Sequence, residues 1–338
     1  MANNRIYYAC QNVQINGPSG VGNTQNAAWD SVQGLQSVGM TTNFNLEPVY
    51  QLGQLELYDN YEEIPEVEVT LNKVLDGSPT LYAMTMGTGT LSALSNHRCG
   101  VRLNLFPDTN TTAVGTPLAQ VTCVPAYLSS VTYTFPTEGN FTEEVTLVSN
   151  DKLWATSPES NSGTFLAAST PIGQGILRRN LWNNSSTILP SAGSGGLPAG
   201  SRVQNVTVSM NLGRESIFDL GQRTPFYRYV NFPVEVTCEI EIVAHTGDMV
   251  GAEQAAAACS NPKALANKQI KIVLCDGTVI DLGSKNKLTS VNYTGGDTGG
   301  GNASITYSYQ TFNDFTYTAP TGVSFSDIVE DSVAFPLT

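Results

Sequence analysis

The sequence predicts a mainly β protein in which a β-sandwich or barrel-like domain occurs twice, each copy carrying one short α-helix. Three observations support this prediction: a composition poor in charge, stretches in which apolar and polar residues alternate, and an internal repeat of domain length. Charged residues make up 13% of the 338 residues, and Gly, Thr, Ser, Asn and Val are abundant. This composition favours strands joined by turns over helices.

The internal repeat joins two distant parts of the chain. Ser37–Pro65 aligns with Asn205–Pro233 without gaps, and 8 of the 29 positions are identical. A second pair of matching stretches, Leu128–Thr134 and Leu288–Thr294, lies far from the first pair and in the same order. The period of 168 residues between the first two stretches has the length of a domain and is too long for a solenoid unit. It therefore indicates a duplicated domain.

The repeat sets the domain boundaries that we predict. The first copy spans residues 1–155 and begins with an irregular arm in residues 1–30. Residues 156–204 are rich in Ser, Gly, Asn and Pro, which is typical of a linker, and they also form the leading arm of the second copy. The second copy spans residues 205–338.

Alternation of apolar and polar residues predicts the strands. After Pro65, Val67, Val69 and Leu71 point to one side of a strand, and residues 233–243 alternate in the same way. A short helix is predicted over Thr88–Asn96. A stronger one is predicted over Gly251–Ala266, because Ala is the best helix former.

Several classes of function are disfavoured by what the sequence lacks. The net charge is −13, and no basic patch is present that would neutralise the phosphates of a nucleic acid. The two histidines and six cysteines show neither a metal-binding spacing nor a catalytic motif. We therefore expect no enzymatic activity, no metal and no cofactor.

The expected place of synthesis is a reducing cytoplasm. The first residues, MANNRIYYAC, lack the charged and then apolar plan of a signal peptide, and no apolar run has the length of a membrane span. The cysteines are then expected to remain free thiols.

A cluster of carboxylates is the sharpest polar feature of the sequence: Glu56, Asp59, Glu62, Glu63, Glu66 and Glu68. Paired carboxylates can serve a glycosidase or bind Ca²⁺, but the spacing does not fit a Ca²⁺ loop. The gap-free alignment puts uncharged residues at these positions of the second copy, so we interpret the cluster as an inter-subunit or channel-lining surface. The corresponding loop of the second copy carries Arg223 and Arg228. We expect the acidic loop of one half to meet the basic loop of the next around a ring, since complementary charge fixes register and partner choice.

Two stretches resemble virion structural proteins of tailed bacteriophages: Leu57–Gly77 (LYDNYEEIPEVEVTLNKVLDG) and Phe226–Thr237 (FYRYVNFPVEVT). The nearest resemblance is to the major tail tube protein, in a version with two tandem tube domains per chain. It implies a non-catalytic protein that assembles into pseudo-hexameric rings of three chains. The rings stack into a tube, through which DNA is ejected without specific binding.

The same resemblance implies partners and a location. The partners are further copies of the chain, together with a terminator, baseplate or tip protein and, in a contractile tail, a sheath. The protein is expected to reside in the virion tail after assembly in the cytoplasm of the host bacterium, without binding a membrane.

Two alternatives from other functional classes remain open. The chain is compatible with a decoration or cement protein that binds a capsid shell. It is also compatible with a carbohydrate-binding protein of the tail tip that uses its tyrosines and carboxylates.

Overall fold

The structure is a computed structural model that describes residues 5–17, 29–87, 89–91, 97–155, 158, 175–222, 225, 227–251, 265–296 and 301–323. In these residues β-strands dominate and helical segments are few and short, which confirms the predicted mainly β class. The helical segments are α1 (Leu81–Met86) and two 3₁₀ turns, Tyr8–Cys10 and Arg179–Leu181.

The described strands are numbered along the chain. Those of the first half are β1 (Gln11–Asn16), β2 (Asp30–Ser31), β3 (Leu35–Asn43), β4 (Leu46–Tyr50), β5 (Leu57–Glu62), β6 (Glu66–Val74), β7 (Cys99–Leu105), β8 (Ala119–Pro136), β9 (Thr142–Ser149) and β10 (Leu153–Trp154). Those of the second half are β11 (Arg202–Asn211), β12 (Glu215–Ile217), β13 (Tyr227–Tyr229), β14 (Glu235–Val243), β15 (Lys271–Val273), β16 (Val279–Asp281), β17 (Lys287–Thr294), β18 (Ser304–Phe312) and β19 (Thr316–Thr318).

A continuous antiparallel ribbon runs through both halves in the order β3–β6–β9–β8–β11–β14–β18–β17. Its centre is β8, a strand of 18 residues. Residues 130–136 of β8 pair with β11, while residues 126–134 pair with β9 on the other edge. The N-terminal part of β8 pairs with β7, which leads on to β1 and β2. The ribbon is not closed into a barrel by any pairing among the described residues.

The two halves of the ribbon have the same strand order and the same irregularities. The β3–β6 pairing shifts register between Leu35 and Ser37, and the β11–β14 pairing shifts between Val203 and Asn205, 168 residues later. The hairpins β4–β5 and β12–β13 follow the first strand of each half. The origin of the two halves by duplication, with the boundaries given above, stays a prediction.

One difference from the gap-free alignment appears after the hairpins. Asn43 pairs with Glu66 in the first half, and the equivalent Asn211 pairs with Glu235 in the second. Glu66 thus corresponds to Glu235 and not to Val234, because the second half contains one additional residue before β14.

The core lies on one face of the ribbon. Val67, Val69 and Leu71 of β6 are buried, as the alternation predicts, and so are Val236 and Ile240 of β14. Strands of this kind are stabilised because burying each large aliphatic side chain contributes about 1.5–3 kcal/mol.

The N-terminal region differs from the irregular arm that the sequence predicts. Residues 11–16 form β1, which pairs with β7 along its whole length and is largely buried. Three amides join the neighbouring strands: Asn104 donates to Gln14 over 2.8 Å, and Gln120 donates to Asn104 over 2.6 Å. Polar residues that bond to one another in this way give no apolar signal in the sequence, which is why β1 is missed.

The helix in the described residues of the first half is α1, which precedes the predicted Thr88–Asn96. Thr80 caps it by accepting a hydrogen bond from the Ala83 N–H, and Gly87 ends it in the left-handed region at φ 65°. Residues 88, 92–96 and 252–264 lie outside the described residues, and with them most of both predicted helices. No helix in the described part of the chain is long and apolar enough to cross a membrane.

A buried carboxylate anchors α1 to the ribbon. Glu143 on β9 accepts hydrogen bonds from the N–H groups of Leu81 (2.6 Å) and Tyr82 (2.9 Å) and from the Tyr133 hydroxyl (3.0 Å). Burial raises the pKa of Glu143, while these donors act in the opposite direction. The short helix thus depends on a residue that is remote in the sequence.

A buried ammonium lies near the same helix. Lys73 donates a hydrogen bond to Asp76 over 3.2 Å, and both side chains are buried. Burial lowers the pKa of Lys73, while the nearby Asp76 and Glu143 act in the opposite direction. The turn before α1 is therefore held by a polar contact inside the chain.

We predict that Glu143→Ala lowers the free energy of unfolding by about 3 kcal/mol, since each buried donor left without an acceptor costs about 1–3 kcal/mol. The adjacent Glu144 is exposed and bonds weakly to Asn72 over 3.4 Å, so Glu144→Ala is the matched control and should change stability by less than about 0.5 kcal/mol. Denaturant unfolding of both variants measures the difference. Equal losses would show that the carboxylate does not anchor the helix.

Candidate functional site

The face of the ribbon opposite the core is mostly polar in both halves. Residues paired across antiparallel strands share a face, so the pairings define this surface. Ser209, for example, lies opposite Thr132 on one side and Thr237 on the other. Glu68 lies opposite Thr41 of β3 in the same way. Hydroxyl, amide and carboxylate groups therefore cover most of this side of both halves, with Phe312 and Val148 among the apolar exceptions.

Most of the charged groups on this surface are carboxylates, and we call it the acidic face. The pairings place on it Glu66, Glu68, Glu144, Glu235, Glu239 and Glu241, with Arg202 and Lys287 as cations. All of them except Glu241 are exposed, and Glu241 is half-buried. The arrangement offers a negatively charged and strongly hydrated surface, which repels phosphate groups within about 10 Å at 0.1 M salt.

The structure divides the predicted carboxylate cluster between two places. Glu66 and Glu68 lie on the acidic face, as described above. The remaining four lie on or beside β5 of the first hairpin, where all are exposed: Glu56, Asp59, Glu62 and Glu63. Asp59 accepts a hydrogen bond from the Asn60 N–H over 2.8 Å. The six residues are thus divided between the ribbon and the separate two-stranded sheet of the first hairpin.

The predicted basic residue Arg228 is buried within the chain. Its Nη1 and Nη2 lie 3.2 and 3.3 Å from Oε1 of Glu66, and its Nε donates to Asn150 over 3.1 Å. Arg228 thus ties the second hairpin to the first half of the same chain. Arg223 lies outside the described residues, and whether either arginine or the carboxylates contact another subunit or a channel stays a prediction.

A second arginine strengthens this connection. Arg214 donates from Nε to the carbonyl oxygen of Leu128 over 2.7 Å, and its guanidinium carbon lies 5.5 Å from the centre of the Tyr127 ring. Burial lowers the pKa of Arg214 to about 10, which still leaves it charged at neutral pH. Sequence reasoning missed Arg214 because its partners are backbone and aromatic groups of the other half.

Both hairpins expose large apolar side chains. In the first, Leu52 and Leu55 have relative exposures of 103% and 101%, and in the second, Leu220 reaches 106%. Other apolar side chains of the hairpins are exposed as well: Tyr50, Tyr58, Tyr61, Ile217 and Phe218. Clustered exposed apolar residues are typical of surfaces that bind other molecules.

Other parts of the described chain offer little chemistry. No group of three His, Cys, Asp or Glu residues there is arranged to hold a metal ion. A cleft of about 780 Å³ beside β1 and β3 has no Asp, Glu, His, Lys, Arg or Cys in its lining. Burial raises the pKa of Cys99 and Cys238 to about 12, so these thiols stay protonated and unreactive.

Four glutamates of the acidic face were not singled out as site residues by the sequence: Glu144, Glu235, Glu239 and Glu241. These four glutamates can be identified because they lie on the polar side of strands whose other side is apolar. Assigning them to one surface requires the strand pairing, because only the pairing shows that β9 and β14 form one continuous face with β6.

Comparisons with known proteins give only remote similarity. No protein-family model and no curated protein matches the sequence. The chain is similar to the tube-terminating cap of the anti-feeding prophage, with 13% identity and a TM-score of 0.33 over 46% of this chain and 95% of that one. It is also similar to a chain of the PVC sheath–tube complex of an extracellular contractile injection system in the extended state, with 14% identity and a TM-score of 0.33 over 46% and 93%. A chain from the anti-feeding prophage baseplate, 6-fold symmetrised, matches with 12% identity and a TM-score of 0.32 over 46% and 97%.

We predict that Arg228→Met lowers the free energy of unfolding by about 2 kcal/mol, because hydrogen bonds to charged groups contribute about 1.5–3 kcal/mol. Glu66→Gln should cost less than about 1 kcal/mol, since the Gln side-chain oxygen can still accept from Arg228, Asn150 remains a second acceptor, and Glu66 is 47% exposed to water. The exposed Arg202 serves as a matched control, and Arg202→Met should have no measurable effect. Thermal or denaturant unfolding compares the variants. If Arg228→Met and Arg202→Met are equally mild, Arg228 does not join the two halves.

Proposed function

We propose that the chain is a structural subunit of a tail-type tube, in which copies associate into rings and the rings stack. The observation that supports this most strongly is the ribbon of eight strands, whose halves repeat one strand order. Its terminal strands β3 and β17 each pair on one edge only within the described residues. Soluble proteins seldom leave long strand edges open, because such edges bind other chains.

The proposed ring is inferred from the contact that joins the two ribbon halves within one chain. Within the chain, the last strand of the first ribbon half, β8, pairs with the first strand of the second, β11. The same contact between chains would add equivalent halves head to tail, and a head-to-tail contact forms a closed ring when its rotation divides a full turn. We propose three chains per ring, which gives six similar halves and a closed barrel of strands.

The acidic face is the proposed lining of the channel. Its carboxylates outnumber the cations Arg202 and Lys287 and would keep passing DNA from adhering by repelling its phosphates. Screening confines the repulsion to about 10 Å from the wall at 0.1 M salt, so the DNA would move along the channel without a specific contact.

The exposed hairpins are the proposed contacts between neighbouring subunits and rings. Leu52, Leu55 and Leu220 have no cover within the described chain, and the protein as a whole is poor in charged residues. We propose further that the tube belongs to the tail of a virion, is assembled in the host cytoplasm, and is completed by other tail proteins at its ends. This role requires neither catalysis nor a cofactor.

Electron microscopy of the purified protein in negative stain tests the proposal. Hollow rods or stacked rings are expected. Compact oligomers that bind empty capsid shells would support a decoration protein instead, and binding of a host polysaccharide without rods would support a tail-tip role. A monomer at every concentration, with none of these activities, would also contradict the proposal.

We predict that Leu52→Asp with Leu220→Asp prevents rod formation without destabilising the monomer. Both side chains are fully exposed, so the free energy of unfolding should change by less than about 0.5 kcal/mol. Gln51→Asp with Gln222→Asp adds the same charge to the same turns while keeping both leucines, and this control should still form rods. Rods of normal length from the leucine variant would exclude the hairpins as an assembly surface.

A second prediction concerns the channel lining. Reversing Glu68, Glu144, Glu235 and Glu239 to Lys should make assembled tubes retain duplex DNA in a form protected from nuclease, because the new cations would face the channel. Replacing the same four residues by Gln removes the negative charge without adding a cation and is the control.

The Gln tubes should leave the DNA open to the nuclease, since amides offer no cation that holds a phosphate. The readout is the length and amount of DNA that survives digestion at low salt. Equal protection by the Lys and the Gln tubes, or protection by neither, would contradict the acidic face as the channel lining.

A further inference from the structure

We propose that β17 of one chain pairs antiparallel with β3 of the next chain in a single register, which places Ser290 opposite Asn43. This pairing presupposes the tube-forming role proposed above and specifies the surface through which the ring closes. Its partner is a second copy of the same chain. The register is derived from a contact that the chain already makes within itself.

The internal contact is the pairing of β8 with β11. It places Ser130 opposite Asn211, Thr132 opposite Ser209 and Tyr133 opposite Val208. In the ribbon, β8 has the place in the first half that β17 has in the second, and β11 has the place of β3. The end contact of the chain is therefore expected to copy the internal one.

Register shifts at matching positions of the two halves show which residues of β17 and β3 correspond to those of β8 and β11. The β8–β9 pairing shifts between Leu128 and Ser130, and the β17–β18 pairing shifts between Leu288 and Ser290, so Ser130 corresponds to Ser290. The β3 and β11 shifts lie 168 residues apart, so Asn211 corresponds to Asn43. The internal pair Thr132–Ser209 then becomes Asn292–Thr41 between chains, and Tyr133–Val208 becomes Tyr293–Met40.

Side chains on the open strands β17 and β3 are less buried than the corresponding side chains on the paired strands β8 and β11. This is the difference expected if a neighbouring strand is missing from β17 and β3. Tyr133 on β8 is 1% exposed, whereas the corresponding Tyr293 on β17 is 55% exposed. On the other strand, Val208 is buried, whereas the corresponding Met40 is only partly buried. Bringing β17 and β3 together in this register sets Tyr293 beside Met40 on the core side, as Tyr133 lies beside Val208.

The alternation of the two strands favours this register over its neighbours. It sets polar residues opposite each other on the acidic face, with Asn292 beside Thr41 and Ser290 beside Asn43. A shift by one residue in either direction would set Tyr293 opposite a residue of the polar face, because successive side chains point to opposite sides. The acidic face and the core would then be interrupted at every chain boundary.

Disulfide formation tests the register directly. A bond forms only where Cα atoms lie about 4.4–6.8 Å apart, which residues directly opposite each other satisfy. The variant Thr41→Cys with Asn292→Cys, oxidised mildly after assembly, should give a covalent ladder in denaturing gels without reductant. Asn43→Cys with Ser290→Cys is an independent pair in the same register and should behave alike.

The matched control is Asn43→Cys with Thr294→Cys, which places the cysteines four residues out of register, about 13 Å apart along the strand. It should give at least about tenfold less covalent product. Mixing the two single variants Thr41→Cys and Asn292→Cys should give dimers that contain one of each, because the contact joins two different edges.

The outcomes separate this inference from the function on which it rests. Rods or rings in the microscope without cross-linking of either in-register pair would overturn the register and leave the tube proposal standing. Cross-linking of Thr41→Cys alone, or of the control as strongly as the in-register pairs, would also overturn it. Failure of the unsubstituted protein to form any assembly would overturn both.

Discussion

The backbone pairing of β8 with β11 is the contact on which the rest of the structure depends. It joins the two ribbon halves through seven consecutive residue pairs, Asn205–Asn211 against Ser130–Pro136. Through this contact both the core and the acidic face continue from one half into the other. It also satisfies backbone groups that would otherwise lie along two open edges. Among the described residues the same requirement remains unmet at β3 and β17, which is why we infer that the chain is complete only beside further copies of itself.

Much of the fold can be predicted from the sequence where one side of a strand is apolar. The alternation around Val67 and Val236 identifies β6 and β14, and the repeat in the sequence relates these two strands to each other. The strand β1 is missed because Gln14 is buried against the amides of other strands, and α1 is missed because Glu143, a distant residue, fixes its first turn. Local sequence patterns predict neither interaction. They do not predict the strand order either, since strand pairing depends on contacts between segments that are remote in the sequence.

The negative charge of the candidate site can be predicted from the sequence, but the positions of its residues relative to one another cannot. Composition reveals an acidic protein, and the cluster from Glu56 to Glu68 suggests a single acidic surface. The structure separates Glu66 and Glu68, on the ribbon, from the four residues of the hairpin. It also assigns Arg228 to a contact within the chain, because the second hairpin folds back onto the first half. Only the pairing of β6 with β9 and of β11 with β14 shows which glutamates share a face.

Amide hydrogen exchange of the assembled and the dissociated protein tests the central claim most directly. If the ends of the ribbon pair with other copies, the amides of β3 and β17 should exchange at least about a hundredfold more slowly in the assembly, because their N–H groups gain partners. The amides of β8 and β11 should be protected in both states, since their pairing is internal. Unchanged exchange in β3 and β17 on assembly would contradict the account, because the ribbon would then end in open edges.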